Sequence, residues 1–433
     1  MITWMRAAML AAFSTSALAQ TADEVYTPPG REAAVELHSV PNARCSLHAP
    51  GDPEQGIEVF SDEQGFITIH TQLDYGQVIS DLELECAGEA GAAEQRTIHV
   101  RPGFARPMTA RKRAMRPPLA GDPMHVSQRE LRRQGYPPRP DSNDAEQLRV
   151  WLESVSRPHR RISPHRVPTR RFNKQTIVDE KSNNWSAFVL EPTDGARFVK
   201  VQGNWVVPAV DLAPGNLLTS HVTNPKQFSS LWVGLDAGPG ILQAGTGQDV
   251  ARVVGLTVRT YYAWIEAYPG PMEVVPDVPV SPGDFMMFRV SGTNRDGDLD
   301  PDGEFMGFEI HNHTADEFLF GDVFAKVAEF QGNTAEWVME RTTLVIRGVA
   351  QPLRPLPYYG VASITGAVAI DSSGRRHDLF SATDQLRKIV MVAPEINDDA
   401  LTSAIQRTSS SSMKFTWVNP EPPTLPPLFP PSF

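Results

Sequence analysis

The chain has 433 residues, 41% of them apolar and 21% charged, with a formal net charge of −11. At about 100–200 residues per domain, this predicts two or three domains with packed cores and excludes wholesale disorder. The negative charge argues against nucleic acid as the main partner, and 38 prolines argue against a helical bundle, because proline breaks helix interiors.

The first residues read as a leader. Arg6 precedes an apolar run from Ala7 to Phe13, and Ala17-Leu18-Ala19 supplies a small-residue cleavage site. This predicts a signal peptide over 1–19 and an exported chain, secreted or periplasmic, that begins near Gln20. The run is far below the ~20 residues of a membrane span, and no later stretch qualifies.

Residues 20–104 read as a small β-domain. Ile57–Phe60, Phe66–His70 and Leu82–Cys86 alternate apolar and polar residues at the strand period. Cys45 and Cys86 are the only cysteines. In an exported chain the pair predicts a disulfide, worth about 3–4 kcal/mol for a loop of about 40 residues.

Residues 105–181 hold 18 Lys and Arg against 8 Asp and Glu. The flanking stretches are acidic, with 4 against 15 over 21–104 and 17 against 28 over 182–433. Such a segment is either a solvated linker or one that lies on an acidic surface of its own chain. One helix is predicted inside it, from Asp144 to Val155. Asn143 would cap it, and Leu148, Trp151, Leu152 and Val155 share one face.

Residues 182–418 read as an antiparallel β-sandwich. Short alternating runs recur at Phe198–Val207, Leu231–Asp236, Thr257–Tyr268, Phe285–Ser291, Phe305–Asn312, Glu336–Glu340 and Gly360–Ile364. A proline-rich tail closes the chain over 419–433.

Parity along these strands sorts their side chains. Trp232, Gly234 and Asp236 share one face, as do Tyr262, Trp264, Glu266 and Tyr268. Glu336 and Glu340 share a face opposite to Trp337 and Met339. Three strands thus offer carboxylates on one side of a sheet, two of them with aromatics beside the acids. Such a face suits a groove for an extended polymer, peptide or glycan; the plainer alternative is a solvated face with scattered acids.

Asn184-Trp185, Trp205–Pro208, Trp232–Asp236, Ile241–Gly245, Tyr261–Pro269 and Ala335–Glu340 occur in the order seen in the glutamic peptidases, or eqolisins, and the chain resembles that family over about 183–366. The resemblance implies a two-sheet, concanavalin-like sandwich and an acid-acting endopeptidase with a Gln/Glu dyad. Matched motif to motif, Gln243 is the glutamine and Glu340 the glutamate, with Glu336 as the other acid of its motif. Trp185, Trp232, Asp236, Glu266 and Tyr268 then contact substrate. In such a site the carboxylate takes a proton from the attacking water and returns it to the leaving amine, while the carboxamide donates to the oxyanion. A base that works in acid needs hydrogen-bond donors around it. No metal or cofactor is called for, the substrates are polypeptides, and the chain is expected to act as a monomer.

The acid that fungal members carry four residues after the glutamine is Gly247 here. A catalytically inactive sandwich that binds extended peptide or glycan therefore stays open as an alternative, as does a surface protein docking through residues 20–104. The basic segment gains a reading as a prosegment whose arginines hold an acidic cleft closed near neutrality.

Asp298, Asp300, Asp302, Gly303 and Glu309 match the spacing of a calcium loop. Strands rather than helices flank them, so an ordinary hairpin loop is the alternative. His311 and His313 lie two apart with no third ligand at useful spacing.

Overall fold

The computed structural model describes residues 23–419 apart from short stretches, of which 104–114 and 214–225 are the longest. The leader, Asn143, Asp298 and residues 420–433 lie outside the described residues. Among the described residues, no helix is long and apolar enough to cross a membrane.

The C-terminal part is a sandwich of two antiparallel sheets. The first has the strand order Asp384–Val392, Trp185–Pro192, Ala335–Glu340, Lys226–Asp236, Ile241–Val253, Leu256–Ala267. The second runs Glu317–Phe324, Phe305–Asn312, Phe285–Thr293, Phe198–Val206, Val361–Asp371, Ser412–Trp417, Leu401–Ser409. Strand Asp384–Val392 also pairs with Leu401–Ser409, which joins the sheets along one side. Odd-numbered side chains of the Leu231–Leu235 run, together with Trp337 and Met339, fill the space between the sheets. Two indoles fix the layers there: Trp205 stacks on Phe288 at 4.4 Å and donates to Thr246 Oγ1 at 3.0 Å, and Trp337 donates to the Gln202 carbonyl at 2.8 Å.

The N-terminal residues form a five-stranded sheet in which Arg44–Ala49 and Ser80–Ala87 are neighbours. The expected Cys45–Cys86 disulfide links these two strands. The module is not a bead on a string. Its antiparallel strand pair, Ala33–His38 with Phe66–Leu73, adds to the edge of the first sandwich sheet, His70–Leu73 pairing with Leu256–Arg259. Val253, Leu256 and Val258 of the sandwich are buried in the module's own core. Their exposure alone would cost about 5 kcal/mol, a large part of the stability of an ordinary domain. A chain lacking residues 20–104 is therefore expected to melt at least 10 °C lower than the full chain, or to be insoluble, as thermal unfolding would read.

In the basic segment the predicted helix is present as Ala145–Val155. Its four named apolar residues pack against Leu119, Leu131 and Tyr136, with a second helix, Gln128–Gln134, nearby. From there the chain runs along the sandwich in short pairings. Arg160–Arg161 joins Glu317–Phe318, Val167–Pro168 joins Glu273–Val274, Arg171–Phe172 joins Thr343–Leu344, and Lys181–Ser182 joins Val390–Met391.

Candidate active site

Cross-strand register sets the site out as three rows on the outer face of the first sheet. One row is Val189, Glu336, Gly234, Gln243, Glu266. The next is Ala187, Val338, Trp232, Gly245, Trp264. The third is Trp185, Glu340, Ser230, Gly247, Tyr262. The parity reading thus holds for all three strands it named. The glycines leave a floor on which rings can lie. A Cβ on Gly234 would come within 2.7 Å of Trp232 Cζ3, and one on Gly247 within 2.1 Å of Tyr262 Cζ.

Glu340 is fully buried. Trp232 Nε1 donates to its Oε2 at 2.7 Å and Asn184 Nδ2 to its Oε1 at 3.1 Å. Trp185, its cross-strand neighbour, packs edge-on against Trp232 at 5.0 Å. The expected donors are therefore in place. They do not keep the carboxyl acidic, because burial outweighs them and pushes it up to about 8. Burial likewise lifts Glu336 to about 7, against a 2.9 Å hydrogen bond from Thr334 Oγ1 and with Asp236 adding to the rise. In this form of the protein, both acids are neutral at acidic pH.

Gln243 and Glu266 are buried neighbours, Gln243 Nε2 donating to Glu266 Oε2 at 3.2 Å. Gln243 shares its row with Glu336, across the side-chain-free Gly234. Glu340 lies four residues further along its strand, about 13 Å at the usual strand rise, with the Trp232 indole between. Asp236 is half-buried at the end of its strand. Tyr268 is half-buried just beyond the Leu256–Ala267 strand and precedes a cis proline.

The face is not an open groove. Trp185, Trp232, Trp264 and Glu266 are all buried. Ile389 and Val274 continue the Trp232 row at its two ends, as cross-strand partners of Ala187 and Trp264, and Met272 and Phe60 of the N-terminal module pack in the same cluster. The Met272 carbonyl in turn accepts from the backbone N–H and Oγ1 of Thr169 in the basic segment.

Sequence reasoning missed three supports. Ser182 Oγ accepts from the Asn184 and Trp185 N–H groups and donates to Asn184 Oδ1, which aims the Asn184 amide at Glu340. Ser182 gave no signal, since it falls at the end of the basic segment. Ser182→Ala is expected to lower kcat about tenfold with little change in KM, the loss of one hydrogen bond of ~1–1.5 kcal/mol; steady-state peptide hydrolysis would read it. Thr334 holds Glu336 from just outside its strand. At Gly247 the missing acid's space is taken by the Tyr262 ring, whose hydroxyl donates to Asp249 at 3.1 Å.

Of the calcium spacing, Asp298 and Gly303 lie outside the described residues. Glu309 pairs with Arg289 at 2.6 Å, and Asp302 with Arg197 at 2.9 Å. Two arginines of the basic segment have described acidic partners outside it. Among the described residues, Arg160 meets Glu63 and Arg166 meets Glu273, acids outside the three rows.

Fold and site together define a class: a β-sandwich hydrolase whose polar groups are carboxyls and a carboxamide. The profile of the Peptidase A4 family matches residues 183–417. The chain belongs to that family, that of the glutamic peptidases, and is an endopeptidase acting on polypeptides. Among solved structures it is similar to scytalido-glutamic peptidase with a peptide-based transition state analog (19% identity, TM-score 0.40) and with a transition state analog inhibitor (18%, 0.39). It is also similar to SCP-B, a member of the eqolisin family of peptidases, in complex with the tripeptide Ala-Ile-His (17%, 0.38). Each match covers 55% of this chain and 98% of the other. No curated protein matches.

Proposed function

We propose that the chain is the exported, monomeric precursor of an acid-acting endopeptidase in which Glu340 is general base and then acid, and Gln243 stabilises the oxyanion. The observation that carries this reading is the Glu340 carboxyl, gripped by Trp232 and Asn184 on a buried, glycine-floored sheet face. Once the face is uncovered and water enters, the burial that holds Glu340 neutral is relieved, while its donors remain to favour the ionised form. The carboxylate can then take a proton from water attacking a peptide carbonyl. The Gln243 carboxamide, held beside Glu266, is the proposed donor to the oxyanion. Trp185, Trp232, Asp236, Glu266 and Tyr268 are the proposed walls of the substrate cleft.

The register favours a second assignment within the same site, with Glu336 as the base, since it faces Gln243 directly across Gly234. The basic segment is read as the cover. Its pairing with Glu273–Val274, Thr343–Leu344 and Val390–Met391 supports this, because those residues border the three rows on both sides.

The test is cleavage of a denatured protein by the purified precursor from about pH 2 to 7, with self-trimming followed in parallel. Substrate cleavage confined to acid and preceded by a cut ahead of Ser182 supports the proposal. Cleavage of equal rate at pH 7 by the untrimmed chain overturns the cover.

A further inference from the structure

His48, Glu83 and Glu85 gather on the outer face of the N-terminal sheet, opposite the disulfide. Register places them there: His48 is the cross-strand partner of Glu83, and Ser46 that of Glu85, while Cys45 and Cys86 pair on the other face. One ligand atom from each of the three lies within 4.8 Å of the other two.

The histidine is the informative member. It is 1% exposed. Its Nδ1 lies 2.9 Å from the Ala49 carbonyl, so Nδ1 carries the hydrogen and the Nε2 lone pair points away. Nε2 is buried and has no hydrogen-bond partner. The nearest acid is Glu85, whose Oε1 is 3.7 Å off. Glu83 Oε2 stands 3.8 Å from Nδ1. A buried ring nitrogen 3.7 Å from a carboxylate oxygen leaves room for a cation, a proton or a metal ion, between the two. A histidine fixed at one nitrogen by a backbone carbonyl, with the other nitrogen free, is the usual preparation of a metal ligand. Two ligands about 2.1 Å from a common ion are 3.7 Å apart at an angle of about 124°, close to a tetrahedral opening. Glu85 Oε1, which also accepts from Gln95 Nε2 at 3.2 Å, stands on the Nε2 side; Glu83 stands on the Nδ1 side and is partly exposed, so its side chain turns about its own torsions to reach the same ion.

We propose that His48 Nε2, Glu83 and Glu85 bind one divalent cation of the zinc type, with water completing a tetrahedral set. One nitrogen and two carboxylate oxygens favour zinc over calcium or magnesium, which prefer all-oxygen sites of higher coordination. The ion ties strand Arg44–Ala49 to strand Ser80–Ala87 beside the disulfide. Its ligands must be deprotonated, so the site empties as pH falls.

The experiment is calorimetric titration of the chelator-stripped full chain with zinc chloride at pH 7.5, with thermal melts in zinc and in EDTA. The expected result is one site of micromolar affinity and a higher melting temperature in zinc. His48→Gln should weaken binding at least thirtyfold. Glu85→Gln, a change at a partly exposed position that leaves the fold undisturbed, should weaken it at least tenfold. Absence of heat from the unaltered chain overturns the proposal, and so does an isotherm that Glu85→Gln leaves unchanged.

Discussion

Glu340→Gln is expected to abolish acid proteolysis, lowering kcat by 10²–10⁴-fold, about the contribution of a positioned general base. The substitution keeps the shape of the side chain and an oxygen for the Trp232 indole, while its NH2 faces the Asn184 amide, so the loss combines proton transfer with one unmade hydrogen bond, the latter worth only about tenfold. Gln243→Ala should cost about 10²–10³-fold, the loss of one oxyanion donor. Glu336→Gln should stay within about tenfold of the unaltered enzyme. If instead Glu336→Gln is silent and Glu340→Gln retains activity, the register has chosen the base and the motif has not.

The same variant carries a stability readout with the opposite sign. Burial raises Glu340 to about 8 from an ordinary 4.5. A raised carboxyl leaves stability intact below pH 4.5 and erodes it as pH climbs toward 8, because the unfolded chain can ionise and the folded one cannot. Replacing it by a neutral amide removes that erosion. Glu340→Gln should therefore be more stable at pH 7 than at pH 4 relative to the unaltered precursor, by up to about 3 kcal/mol, the pH-independent loss of the Asn184 hydrogen bond cancelling in that difference. Denaturant unfolding at the two pH values would read this without any assay of activity. An inactive variant that is more stable at neutrality fits a carboxyl kept buried for chemistry rather than for folding.

What the sequence made legible was periodic. Alternation assigned Trp232, Gly234, Glu266, Glu336 and Glu340 to one face because side-chain direction along a strand depends on parity alone. The helix ending at Val155 was legible from its apolar spacing for the same reason. What stayed hidden depends on which strands become neighbours. Nothing within Ala335–Glu340 tells that Gln243 shares a row with Glu336 rather than Glu340. Nothing in Phe66–Leu73 tells that it adds to the edge of a sheet 180 residues away in the chain. The Ser182–Asn184–Glu340 relay was hidden differently, since short polar residues at a segment boundary carry no period. The basic charge of residues 105–181 was plain, but charge alone does not name the partners of individual arginines. Arg160 and Arg166 pair with partly exposed acids, and such pairs are worth little in salt.

Acid release of the segment is expected to come from histidines under its helix. His311 and His313 of strand Phe305–Asn312 and the residue after it are buried, their rings 3.8 Å apart. Ser154 of helix Ala145–Val155 lies 3.2 Å from His313 Nδ1, and Arg157 donates to the His313 carbonyl at 2.6 Å. The charged and titratable groups around the pair are Arg149, Arg157 and His159 from the segment and Arg289 from the sandwich, the last paired with Glu309; Phe285 covers the other side of His313. Burial, and then these cations, hold His311 well below its ordinary value and His313 at about 3. A depressed histidine is neutral in the docked state and takes a proton once released, so docking is unaffected above about pH 6.5 and weakens as pH falls toward 3. The part of this depression that comes from the segment, its helix over the ring and Arg157 and Arg149 beside it, is what release relieves. Glu336 and Glu340 act in the reverse direction, since their burial costs nothing below pH 4.5, so they do not drive release in acid. Hydrogen exchange of residues 115–161, measured against pH in the Glu340→Gln background to prevent self-cleavage, should show protection lost between about pH 6 and 3. His313→Gln should keep the protection at pH 7 and move its loss at least one pH unit lower. An unchanged midpoint, with protection at pH 7 intact, would assign release to the exposed ion pairs and remove the histidines from the mechanism.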